Sequence, residues 1–126
     1  MQLYWAGRYE EAIQSLKRTI RLDPKGPPFY FLYIGNAYRC LEQNDEAITK
    51  YKEILGRQPD HMFAHLLLAG TYAVTGREEE AHVEATEVLK LNPKFSVSKL
   101  ANSLPHKDKV CKERVVDGWR KVGLPE

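Results

Sequence analysis

The chain has 126 residues, of which 43% are hydrophobic and 29% charged, with a formal net charge of +2. That length suits one domain with a single elongated core. The apolar runs are short and interrupted, so no transmembrane span is expected, and no basic-then-apolar leader opens the sequence. Charge is nearly balanced. Residues 97–126 hold seven Lys/Arg against four Asp/Glu, and the rest of the chain comes to −1. Nucleic-acid binding would require a denser basic stripe with interleaved aromatics.

Residues 1–6 read as the last turn of an otherwise missing helix, and Gly7 as the turn that follows it. From Arg8 to Arg21, Ala12, Ile13, Leu16 and Ile20 recur at three- and four-residue intervals, which predicts an amphipathic helix over 8–22. Pro24 stops it. Pro27-Pro28 opens a helix over 28–41, because proline costs little in a first turn. After the turn Glu42-Gln43-Asn44, with Asn44 or Asp45 as cap, comes a helix over 45–57. Asp60 is the expected cap of a helix over 61–75. Gly76 turns the chain into a helix over 78–91, where Glu78-Glu79-Glu80 match the macrodipole of a first turn.

Within 30–59 stand Phe31-x2-Ile34-Gly35-x2-Tyr38, Ala47-x3-Tyr51 and Pro59. His65-x2-Leu68-Ala69-x2-Tyr72, Gly76, Ala81-x3-Ala85 and Pro93 follow the same frame. Gly7, Ala12-x3-Leu16 and Pro24 give its second half only. The alanines at 12, 47 and 81 and the prolines at 24, 59 and 93 are spaced by 35 and 34 residues. This frame resembles the tetratricopeptide repeat (TPR). The resemblance implies an all-α, TPR-type α-solenoid of antiparallel helix hairpins. A half repeat would cover 1–26, full repeats 27–60 and 61–95, and a degenerate capping segment 96–126.

In that segment a short helix is expected near 97–103, stopped by Pro105. Asp108 would cap a last helix over 109–122. Val115, Trp119 and Val122 give it an apolar stripe, and Trp119 is expected to dock on the last full repeat, where helix 78–91 otherwise has an uncovered face at Val83 and Val88. Phe95-Ser96, Leu104-Pro105-x-Lys107-Asp108, Glu113-Arg114 and the closing Gly-Leu-Pro-Glu carry a second resemblance. They look like the C-terminal end of bacterial multidomain proteins that join a class III adenylate/guanylate cyclase-like domain to TPRs. This implies a non-catalytic module of a signalling protein.

No nucleophile elbow, P-loop or dinucleotide glycine pattern is present, so neither an enzyme nor a cofactor is expected. His61 and His65 have a spacing compatible with zinc, but too few further ligands stand near them, and no metal is expected. His106 reads as a solvated loop residue. Cys40 and Cys111 lie in unrelated segments and read as reduced packing thiols in a cytoplasmic setting, although two thiols could also pair.

The resemblance further implies a concave groove lined by the first helix of each hairpin. By position, Phe29, Leu32, Asn36 and Arg39 would line it in one repeat, and Phe63, Leu66, Gly70 and Ala73 in the next. TPR domains that grip a C-terminal carboxylate use Lys, Asn and Arg at several such places. Here Leu32, Phe63 and Leu67 replace them and only Asn36 matches, so a carboxylate clamp is not expected. An apolar groove suits a peptide, an amphipathic helix or another copy of the chain. The half repeat also leaves Ala12, Leu16 and Ile20 without a covering helix, which points to a fragment of a longer chain or to a homodimer. The alternative reading, a pentatricopeptide-type RNA binder, shares the period but would present polar residues on a basic face.

Overall fold

A computed structural model describes residues 2–103 and 109–126 of the chain. Its elements are α1 (Gln2–Leu22), α2 (Phe29–Cys40), α3 (Asn44–Arg57), α4 (Met62–Val74), α5 (Glu78–Leu91), α6 (Val97–Ser103) and α7 (Lys109–Lys121). No strand occurs among the described residues. The fold is all-α and of TPR type. The chain divides into two compact units, Met1–Pro59 and Asp60–Glu126. The division falls between Pro59 and Asp60, and the second unit holds α4, α5, α6 and α7. The expected stop at Pro105, the cap at Asp108 and the loop histidine His106 lie outside the described residues.

In the first unit, α1 is one helix of 21 residues and runs through Gly7 without a turn. A glycine inside a helix costs roughly 1 kcal/mol relative to alanine. That is too little to break a segment which continues into the register of Ile13, Leu16 and Ile20. The expected missing helix is therefore a continuation of α1. Helix α2 packs against both α1 and α3. The core is Ile13 from α1, Phe31, Ile34, Ala37 and Tyr38 from α2, and Ala47, Ile48, Tyr51 and Ile54 from α3. Helix α3 starts at Asn44 after Gln43, whose side chain makes no capping bond. Neither Asn44 nor Asp45 is the cap. Asp45 and Glu46 instead place negative charge in the first turn, where the macrodipole favours it.

In the second unit, α4 is buried almost all round, from Ala64 to Ala73. A helix that is apolar on every side needs two covering partners, and α5 and α7 supply them. His61, not Asp60, caps α4: its Nδ1 accepts the amide of Ala64 at 3.2 Å. After α7 the chain returns to the start of α6. The Val97 amide donates to the Pro125 carbonyl at 2.7 Å, and the Ser96 hydroxyl donates to the main-chain oxygen of Glu126.

Helices α2, α4 and α7 end in the same way. The amide of Gln43 reaches the Tyr38 carbonyl and that of Glu42 the Arg39 carbonyl. Arg77 and Gly76 repeat this on Tyr72 and Ala73, and Leu124 and Gly123 on Trp119 and Arg120. This pair of bonds needs a residue in the left-handed region. Gly76 and Gly123 take it at φ 81° and 88°, but at the equivalent place in the first unit Glu42 takes it at 63°. A side chain there costs about 1–2 kcal/mol, part of which is offset by glycine's freer unfolded chain. Glu42→Gly should therefore stabilise the first unit by about 0.5–1 kcal/mol, read as a higher urea midpoint at unchanged slope. A midpoint that falls would show that the Glu42 side chain contributes more than its backbone costs.

Candidate protein-binding surface

The residues assigned to the groove meet different fates in the two units. In the first, Phe29 and Tyr33 on α2 are 44% and 55% exposed. Phe29 meets Tyr30 edge to face at 4.7 Å between ring centroids, and Tyr33 at 5.6 Å. Tyr33 was not among the expected groove residues. Its signal was available, because it lies one helical turn beyond Phe29 on the same face. Leu32 is half-buried.

Further along α2 the face turns polar. The Tyr51 hydroxyl, reaching across from α3, donates to Asn36 Oδ1 at 2.5 Å, and Arg39 Nε points to the same hydroxyl at 3.4 Å. Tyr51 is wholly buried, because its ring lies against Gly35. A Cβ on Gly35 would come within 2.7 Å of that ring. Asn36 and Arg39 thus have a structural task as well as a half-exposed position. Burial raises the Tyr51 pKa above the ordinary 10.0, with the Arg39 charge and hydrogen bond opposing.

In the second unit Phe63 is 44% exposed, but Leu66, Gly70 and Ala73 are buried. Helix α7 lies over this face of α4. Trp119, 1% exposed, donates its indole N–H to the Leu66 carbonyl at 2.9 Å and packs edge to face on Phe95. Val115, Trp119 and Val122 are all buried, as the apolar stripe requires. Trp119 thus docks on the last full repeat as expected, but on its first helix and not on the face of α5 that suggested it. Val83 on α5 stays 61% exposed, and α7 seats on α4, where Gly70 leaves room for it.

On α1, Ala12, Leu16 and Ile20 are half-buried and Ile13 is the buried member of the set. The two histidines considered as ligands have other roles. His61 caps α4, and His65 Nδ1 lies 2.6 Å from Glu84 Oε2 on α5, largely buried. No group of three or more His, Cys, Asp or Glu side chains placed to hold a metal occurs among the described residues. The reduced-thiol reading is corrected: Cys40 and Cys111 are both disulfide-bonded. Separation along a sequence carries no information about a thiol's partner in space.

Two tetratricopeptide-repeat family models match the chain, one over residues 2–28 and one over 32–93. With the hairpins and the repeated Gly/Ala frame, this makes the chain a member of the tetratricopeptide-repeat family. Among curated proteins it is similar to human protein O-mannosyl-transferase TMTC2, at 35% identity over 69% of the chain. The mouse protein of that name is 36% identical over 57% of the chain, and the Xenopus laevis one 35% over the same share. The chain spans only about a tenth of the length of these relatives, 11%, 9% and 9% respectively.

The buried tyrosine yields a pH-dependent test. A folded pKa raised above 10.0 adds stability that is complete below pH 10 and is lost as pH rises through the folded value. Tyr51→Phe should cost about 1 kcal/mol at neutral pH through the lost hydrogen bonds. It should also escape the alkaline loss. Urea unfolding of both proteins at neutral pH and at about pH 11 should show the gap narrowing. A constant gap would mean that Tyr51 does not stay protonated in the folded state.

Proposed function

We propose that this chain is a non-catalytic protein-interaction module, and that the α2 face of its first unit receives the partner. The observation that carries this reading is the edge-to-face array of Phe29, Tyr30 and Tyr33, in which Phe29 and Tyr33 are exposed. Rigid aromatics lose little entropy on contact and bring large apolar area, and they are enriched where proteins meet. Asn36 and Arg39 border the array and give a bound peptide polar groups to register against. The non-catalytic part of the reading is supported by the tasks of the polar side chains, since His61, His65 and Tyr51 all serve the fold.

The relatives are named for mannosyl transfer, and the matched stretch is a small part of them. We therefore read this chain as a segment that accompanies such chemistry, not as its seat. None of these three relatives is named as a cyclase, and all are animal proteins, so the cyclase-like signalling role is not carried forward. The pentatricopeptide alternative is not favoured either, because the face it would use is aromatic. A second copy of the chain remains one candidate occupant of the face.

A photo-crosslinking amino acid at position 33, with position 83 as an equally exposed control, tests the reading in cells. Position 33 should yield a discrete protein adduct that position 83 does not. An adduct of doubled chain mass would identify the homodimer. RNA adducts, or equal labelling from both positions, would refute the assignment.

The disulfide-bonded cysteines also bear on where the module works. No helix among the described residues is long and apolar enough to cross a membrane. Disulfides persist in oxidising compartments and are rare where glutathione keeps thiols reduced. We therefore favour an oxidising compartment over the cytoplasmic setting that the sequence suggested. Alkylation under denaturing conditions, immediately after lysis, should label neither Cys40 nor Cys111 before reduction. Full labelling of both would restore the cytoplasmic reading.

A further inference from the structure

We draw no further inference here: the strongest candidate, the recess that Lys17 of α1, Tyr38 of α2 and the carboxylates of Glu42, Asp45 and Glu46 line at the start of α3, is an acidic cluster beside one lysine, and no second observation in the structure points to a ligand for it.

Discussion

Gly70 and Gly118 cross with no side chain between them, and the second unit is arranged around that contact. Because the backbones meet, Val115 and Trp119 fall beside the crossing, and the indole N–H reaches the Leu66 carbonyl. Because Trp119 is seated, Phe95 finds its edge-to-face partner, and Leu124 closes the end of α7 against the Trp119 carbonyl. The last residues then return to the start of α6. Burying an indole and its valine neighbours is worth several kcal/mol, at roughly 1.5–3 kcal/mol per large apolar side chain. All of it depends on two residues that contribute no apolar side chain of their own.

The first unit uses the same device for a different purpose. Gly35 cedes its volume to the Tyr51 ring, so α2 and α3 approach across an aromatic plate. The equivalent positions in the second unit are Ala69 and Ala85, both buried. One hairpin is filled by a large residue against a glycine, the other by two small ones. The exchange also decides where polar atoms go. A tyrosine brings a hydroxyl into the interior that must be satisfied, and Asn36 and Arg39 answer it. An alanine brings none, and at the positions matching Asn36 and Arg39 the second unit carries Gly70 and Ala73.

The helix bounds were legible because proline stops and three-to-four-residue apolar spacing are local signals. Residues 45–57 and 78–91 of the sequence reading became Asn44–Arg57 and Glu78–Leu91. The departures have particular causes. Gly7 looked like a turn because glycine commonly is one, but a single glycine cannot outweigh the helix on either side of it. His61 was assessed as a metal ligand and is a cap, a role its nitrogen fills as a carboxylate would. The docking of α7 was read from its own stripe and from the uncovered face of helix 78–91, which pointed to the right repeat but not to the helix that receives it. That information lay in Gly70, a groove position whose smallness has meaning only beside Gly118. The state of the cysteines depends on distance in space, which no local pattern encodes.

The faces of α2 and α4 therefore differ in chemistry although they descend from one frame. On α4, Gly70 lets α7 lie in direct backbone contact, so the decisive property of the packed helix is what it lacks at the crossing. On α2, Asn36 occupies the corresponding position and is held there by the Tyr51 hydroxyl. A helix cannot approach α2 as closely without displacing Asn36 and leaving a buried hydroxyl unsatisfied, at a cost of about 1–3 kcal/mol. The α2 face therefore offers contact at greater distance, through the rings of Phe29 and Tyr33 and the polar edge beside them. The two repeats thus differ in what can pack upon them through a single residue pair, glycine in one frame and asparagine in the other.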